Sequence, residues 1–151
     1  MEKVLVLIKP DGMQKVIVGN VLNLFLVNDV KLIAMKLVKP STRLAQNHYQ
    51  DLKGKTFFKE IVEYLEGRFH DDAPVVAMVF EGRNIVKRCR DIAGATNPEE
   101  ASPRSVRGKY GRITTKGLYE NVVHVSSSNE EARREIALWF KKNELIPKES
   151  K

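Results

Sequence analysis

His124 is the side chain with the clearest capacity for chemistry in this sequence. It lies in the segment Asn121-Val122-Val123-His124-Val125, which is typical of a strand end, and a predicted helix begins shortly after it at Ser128. An imidazole in such a place can be a nucleophile or an acid–base group, although an isolated histidine near a strand end more often has a structural role. Two further features of the sequence favour a chemical role.

The first feature is Glu135, on the helix that follows His124. Four apolar residues recur there at helical spacing and define the face that packs on the core: Ala132, Ile136, Trp139 and Phe140. Glu135 falls within this face, and a carboxylate rarely enters a core without a partner because it loses its hydration. We expect Glu135 to hold one ring nitrogen of His124 and to leave the other free to attack an electrophile. The alternative is that Glu135 reaches solvent at the edge of the apolar face.

The second feature is a concentration of positive charge. Residues 83–116 contain nine basic and three acidic side chains, so this segment carries +6 of the net charge of +7. Within it, Arg90, Thr96 and Arg107 combine planar cationic donors with a hydroxyl, which suits phosphate groups. Many of the charges could instead form a solvated basic face. The sequence has no Walker-type loop, because Gly108-Lys109-Tyr110-Gly111-Arg112 lacks the required spacing.

Hydrophobic periodicity predicts strands that alternate with helices. The predicted strands span 4–8, 30–38, 75–80 and 121–125, and the predicted helices span 21–27, 42–49, 57–65, 85–92 and 128–140. Residues 94–118 show no clear period and are predicted to be a long functional loop, and the last ten residues a loose tail. The order favours an α+β ferredoxin-like sandwich, a four-stranded antiparallel sheet covered by helices on one face; a parallel doubly wound sheet also accommodates it.

The composition limits the remaining possibilities. With 151 residues and 42% apolar side chains, we expect a single domain spanning 1–151. No apolar run approaches a membrane span and no cleavable signal is evident, so a cytoplasmic location is predicted. Cys89 is the only cysteine, which rules out an intrachain disulfide. His48 and His70 are expected to be structural or exposed, and no metal-ligand cluster is apparent in the sequence.

Short motifs occur in a characteristic order along the chain: Lys9-Pro10-Asp11, Tyr49, Thr96-Asn97-Pro98, Arg107-Gly108 and Asn121-x-x-His124. In these motifs the chain resembles the nucleoside diphosphate kinase family over nearly its whole length. The resemblance implies a ferredoxin-like core and a ping-pong reaction, in which a nucleoside triphosphate such as ATP phosphorylates His124 on its pros nitrogen and a diphosphate then collects the phosphoryl group.

The resemblance also implies roles for individual residues. Lys9 and Asn121 would bind the ribose hydroxyls and phosphates, and Phe57 would stack on the base. The remaining site residues would hold the phosphates (Arg90, Thr96 and Arg107) or support the histidine (Tyr49, Ser126 and Glu135). Mg²⁺ would arrive on the nucleotide phosphates rather than in a protein cage. The protein would form a homo-oligomer, with a hexamer favoured over a tetramer, and nucleic acid would be an unlikely partner.

The sequence departs from the family pattern in two places. Val125 and Ser127 stand in His124-Val125-Ser126-Ser127-Ser128 where the family commonly has glycine and aspartate. That aspartate helps to place the magnesium's water shell, so metal positioning is in question. The segment 109–120 is also longer, with Ile113 a candidate for the other wall of the base site. A non-catalytic nucleotide- or nucleic-acid-binding protein on the same scaffold, and a transferase acting on other proteins, are the alternatives.

Overall fold

The computed structural model describes residues 1–146, which form six strands and seven α-helices. The strands are β1 (Glu2–Ile8), β2 (Lys31–Val38), β3 (Val75–Gly82), β4 (Arg112–Ile113), β5 (Tyr119–Glu120) and β6 (Val123–Val125). The helices are α1 (Pro10–Gln14), α2 (Val18–Phe25), α3 (Thr42–His48), α4 (Phe58–Leu65), α5 (Ile85–Ala93), α6 (Val106–Tyr110) and α7 (Asn129–Trp139). None of these helices is long and apolar enough to cross a membrane.

The central sheet has the strand order β2-β3-β1-β6, and every neighbouring pair is antiparallel. This confirms the predicted four-stranded antiparallel sheet and excludes the parallel alternative. The short strand β6 lies at one edge, where His124 is opposite Leu7 of β1. The sheet therefore places the candidate nucleophile beside the last residues of β1.

Helices cover both faces of the sheet, so the expectation that they lie on one face was wrong. Alternate residues of β1 belong to two separate cores, with Val4, Val6 and Ile8 on the side of α2 and α5. Leu5 and Leu7 face the side of α3, α4 and α7. An uninterrupted apolar strand without polar alternation is buried on both faces, and it therefore needs helices on each.

Residues 94–118, predicted to be a loop without regular structure, contain a 3₁₀ turn (Pro98–Glu100), helix α6 and most of the β4–β5 hairpin. Ser105 caps α6 by accepting a hydrogen bond from the Gly108 amide at 3.1 Å. These elements have only two to five residues, and periodicity cannot reveal elements that complete barely one turn or pleat.

Glu120, at the end of the hairpin, anchors this segment to the rest of the fold. Its carboxylate is buried and bonds to His70 Nε2 at 2.8 Å and to the Arg112 guanidinium. Burial alone would raise the pKa of Glu120, but the hydrogen bonds from Arg112 and His70 lower it to about 2. The segment is therefore held by a buried polar contact as well as by Val106 in the core.

The predicted loose tail is partly ordered. Residues Lys142–Glu144 form a 3₁₀ turn, and the Ile146 amide donates a hydrogen bond to the Ile33 carbonyl at 2.9 Å. The remaining part of the predicted tail, residues 147–151, lies outside the described residues.

Candidate active site

A cleft of about 630 Å³ opens where β6, the end of β1, the end of α3 and the loop after α5 meet. Eight of the ten predicted site residues line it: Lys9, Tyr49, Arg90, Thr96, Arg107, Asn121, His124 and Glu135. The fold thus brings together side chains from almost the full length of the sequence.

His124 projects from β6 with its side chain 21% exposed. Its Nε2 atom lies 2.9 Å from Glu135 Oε1. This contact occupies one ring nitrogen and leaves Nδ1 as the nitrogen that is not used by the carboxylate. A neutral ring that donates from Nε2 carries its lone pair on Nδ1.

Glu135 is itself fixed through both carboxylate oxygens. It is 3% exposed, and its Oε2 accepts a hydrogen bond from Ser126 Oγ at 2.6 Å. Ser126 is fully buried behind the cleft, where its Oγ also accepts a bond from the Leu5 amide at 3.1 Å. A carboxylate held in this way orients the imidazole that it contacts.

The backbone just before His124 is strained. Val122 has a φ of 70°, a left-handed conformation that is unfavourable for a β-branched residue. Asp11 Oδ2 accepts a bond from the Val122 amide at 2.9 Å, and the Lys9 amide donates to the Val122 carbonyl at 2.8 Å. Gly12 allows this close approach, because a Cβ there would lie 3.0 Å from Val122 Cγ1. These contacts stabilise the turn that directs His124 into the cleft.

Lys9 and Asn121 form one side of the cleft. The Lys9 ammonium donates to Asn121 Oδ1 and lies 4.6 Å from the centre of the Tyr64 ring. Burial lowers the pKa of Lys9 to about 8, an effect that the nearby Asp11 carboxylate partly opposes. Asn121 also donates from Nδ2 to the Thr96 carbonyl at 2.9 Å, so it links the two sides.

Arg107 connects the loop after α5 to β6. Its guanidinium donates to the Gly94 carbonyl at 2.7 Å and to the Val123 carbonyl at 2.9 Å. Burial, followed by the nearby Arg90, lowers the pKa of Arg107 to about 10, which keeps it charged at neutral pH. Arg90 and Thr96 are exposed side chains on the cleft lining. The cleft therefore offers several cationic and hydroxyl donors, which are the groups that bind phosphate.

The other predicted residues occupy different surroundings. Phe57 does not line the cleft; it precedes α4 and is 48% exposed. Ile113 lies in β4 and is also absent from the lining. Val125 and Ser127, the two departures from the family pattern, both line the cleft, Val125 buried and Ser127 exposed.

His48 lines the cleft, a position that the sequence did not predict. It was expected to be structural or exposed; it is 3% exposed and has its ring centre 4.4 Å from that of His124. The signal in the sequence was its neighbour Tyr49, which was itself a predicted site residue. Burial raises the pKa of Tyr49, and the Glu135 carboxylate adds to this effect, so its hydroxyl keeps its proton. The third histidine, His70, is buried outside the cleft against Glu120.

The acidic groups of the cleft do not form an oxygen-rich cage for Mg²⁺ within residues 1–146. Glu135 bonds to His124 and Ser126, and Glu131 bonds to Arg134 at 2.7 Å. Because Mg²⁺ prefers oxygen ligands and keeps several waters, these residues fit an ion that arrives bound to phosphate oxygens.

Comparison with known proteins agrees with this architecture. The family model for nucleoside diphosphate kinase matches residues 2–145. A nucleoside diphosphate kinase from Desulfitobacterium hafniense is 43% identical over 145 residues, which is 96% of this chain and 91% of the relative.

Two solved structures are also similar. A halophilic nucleoside diphosphate kinase from Halobacterium salinarum in complex with CDP has a TM-score of 0.87 and 32% identity, covering 99% of this chain and 93% of that one. A transition-state mimic of the Borrelia burgdorferi nucleoside diphosphate kinase, with bound vanadate and ADP, has a TM-score of 0.86 and 28% identity, covering 99% of this chain and 92% of that one.

The fold, the cleft and these similarities define an enzyme of the phosphotransferase class. Within that class, the chain belongs to the nucleoside diphosphate kinase family.

Proposed function

We propose that this nucleoside diphosphate kinase moves the γ-phosphoryl group of a nucleoside triphosphate to a nucleoside diphosphate through a phosphohistidine on Nδ1 of His124. The observation that carries this proposal is the 2.9 Å contact between His124 Nε2 and Glu135 Oε1. It leaves Nδ1 as the nucleophile in a cleft that is rich in phosphate-binding groups.

The reaction has two symmetric steps. In the first, the Nδ1 lone pair attacks the γ-phosphorus, the bond from that phosphorus to the β-phosphate oxygen breaks, and the diphosphate leaves with the electron pair. The imidazole gains positive charge while its Nε2 proton stays on the bond to Glu135. In the second step, a β-phosphate oxygen of another diphosphate attacks the phosphohistidine, and His124 leaves with its lone pair restored.

The other residues of the cleft are proposed to bind and orient the nucleotide. Three of them, Arg90, Arg107 and Thr96, supply donors for the phosphates, which is the main work that phosphoryl transfer requires of a protein. Lys9 and Asn121 are proposed to bind the ribose hydroxyls and phosphates.

Further predicted roles concern the base, the histidine and the metal. The exposed Phe57 is proposed to stack on the base, and a ring stack combined with sugar contacts would accept any base. Tyr49 and Ser126 are proposed to support His124, the latter through its bond to Glu135. Mg²⁺ is proposed to enter bound to the nucleotide phosphates and to neutralise their charge. Ser127 stands where the family commonly has an aspartate, which would help to place the water molecules bound to Mg²⁺.

The assembly and the cellular location are also proposals. A homo-oligomer, with a hexamer favoured over a tetramer, agrees with the exposed apolar side chains of the edge strand β2, where Met35 is 46% and Leu37 is 64% exposed. A cytoplasmic location and a single domain spanning 1–151 remain predictions from the sequence.

Intact-mass spectrometry after brief incubation with Mg-ATP tests the mechanism. Wild-type protein is expected to gain one phosphoryl group, lose it when GDP is added, and form GTP. His124→Ala is expected to gain none, whereas His70→Gln, which alters the buried histidine outside the cleft, is expected to behave like the wild type.

The alternatives predict different spectra. Wild-type protein that binds nucleotide but stays unmodified would support a non-catalytic binding protein. Phosphorylated protein that ignores every nucleoside diphosphate would instead indicate transfer to another class of acceptor.

A further inference from the structure

His48 has an unusual position for a residue outside the proposed mechanism. It is the last residue of α3, is 3% exposed and lines the cleft. Its ring meets those of Tyr49, His124 and Trp139 edge to face, with the His124 centre nearest at 4.4 Å. Buried polar groups normally have hydrogen-bond partners, so a partner is expected for each of the two ring nitrogens of His48.

The hydrogen bond from Trp139 determines which nitrogen of His48 carries the proton. Trp139 Nε1 lies 3.1 Å from His48 Nδ1, and an indole N–H can only donate. Nδ1 is therefore the acceptor, and the proton of a neutral His48 must be on Nε2. Burial, followed by the proximity of His124 and Arg134, holds the pKa of His48 well below its ordinary value, so the ring is neutral at physiological pH.

The resulting Nε2–H donor has no hydrogen-bond partner within residues 1–146. A buried donor without a partner is costly, and few remain in native proteins without a reason. Ring nitrogens of His48 and His124 and a carboxylate oxygen of Glu135 lie within 4.8 Å of one another. A ring nitrogen of His48 is thus close to the two groups that are proposed to carry out the reaction.

A metal ion is a poor explanation for this cluster. A metal at Nε2 of His48 would need the lone pair at an atom that the Trp139 contact leaves protonated. His124 Nε2 and both oxygens of Glu135 are also engaged, with each other and with Ser126. The group without a partner at this point is a buried donor, and its natural partner is an anionic oxygen that arrives during the reaction.

We infer that His48 is a phosphoryl-binding residue, whose Nε2–H donates to an oxygen of the phosphoryl group while that group is held on Nδ1 of His124. The inference rests on the proposed function and adds a contact that stabilises the covalent intermediate. Trp139 acts indirectly, because its N–H donates to Nδ1 and keeps the His48 proton on Nε2.

Nitrogen-15 NMR of the full-length protein labelled at its three histidines tests the inference directly. Before ATP is added, His48 is expected to show a protonated Nε2 and an unprotonated Nδ1. After phosphorylation, verified by mass on the same sample, the Nε2 proton is expected to shift to lower field and to exchange more slowly with water. His70, bonded to Glu120 outside the cleft, is the internal control and is expected to stay unchanged.

The possible contrary results are distinguishable. A proton on Nδ1 of His48, or an unchanged Nε2 proton in a fully phosphorylated sample, would overturn the inference and leave the proposed function intact. A protein that never acquires the phosphate would overturn the proposed function, and this inference with it.

Two substitutions separate hydrogen bonding from packing. His48→Phe keeps an aromatic ring but removes the donor, and the loss of one bond to a charged group should slow phosphoenzyme formation by about 10- to 100-fold. His48→Gln packs less well but restores an N–H near the Nε2 position, and it is expected to recover about tenfold of that rate with little change in KM for ATP. If the glutamine variant were no faster than the phenylalanine variant, packing would explain the residue and the inference would fail.

Discussion

Replacing Glu135 with glutamine removes one negative charge beside His124 and preserves the size of the side chain. The affected contact joins His124 Nε2 and Glu135 Oε1 at 2.9 Å. At an effective dielectric constant of about 20, two unit charges at that separation interact by about 6 kcal/mol. If about half of a unit charge has developed on the imidazole in the transition state, the loss is about 3 kcal/mol, which corresponds to a rate about 100-fold lower.

Rapid-quench measurement of phosphoenzyme formation under single-turnover conditions isolates this step from nucleotide release. Glu135→Gln is expected to form the same phosphoenzyme about 100-fold more slowly, with a circular dichroism spectrum like that of the wild type. Glu130→Gln is the matched control, because it removes an exposed carboxylate from the same helix. A Glu135→Gln rate within about threefold of the wild type would refute the reasoning, since the carboxylate would then contribute no charge stabilisation.

Three further predictions concern other parts of the molecule. Val16→Gly should raise the free energy of unfolding by up to about 1.5 kcal/mol, because Val16 has a φ of 58° and is 87% exposed. Chemical denaturation should show a smaller gain for the control Val16→Ala, which keeps the strained Cβ. Because Lys9 loses its charge as pH rises through about 8, kcat/KM for ATP should fall with an apparent pKa near 8. If the same fall persisted in Lys9→Gln, a group other than Lys9 would be responsible for it. The pKa of Glu120 is lowered from 4.5 to about 2, so its stabilisation is complete above pH 4.5 and is lost as pH falls towards 2; denaturation curves of the wild type and Glu120→Gln should converge over that range, and a constant difference would contradict this.

The four main strands could be predicted from sequence because each is a compact apolar run. The predicted strands 4–8 and 75–80 correspond to β1 and β3. The capping residue Ser128 marked the start of its helix correctly, since a side-chain cap is a local feature. The β4–β5 hairpin was not predicted, because its two-residue strands depend on the distant contact between Glu120 and His70.

Part of the candidate site could also be predicted from the sequence, and part could not. The chemistry of His124 and Glu135 was evident from residue type and helical spacing, and the fold places them in contact. The importance of His48 was not evident, because its burial, its bond to Trp139 and its distance from His124 depend on how α3 and α7 pack on the sheet.

By itself, the sequence determined the alternation of strands and helices, the concentration of basic residues and the types of side chain available for phosphoryl chemistry. These properties depend on residue type and on spacing within a few residues. The tertiary structure alone decided that helices cover both faces, that Val122 adopts a strained turn beside Asp11, and that the proton of His48 is on Nε2. Those outcomes depend on groups up to 111 residues apart in the chain, whose approach is set by packing and by the need of buried polar groups for partners.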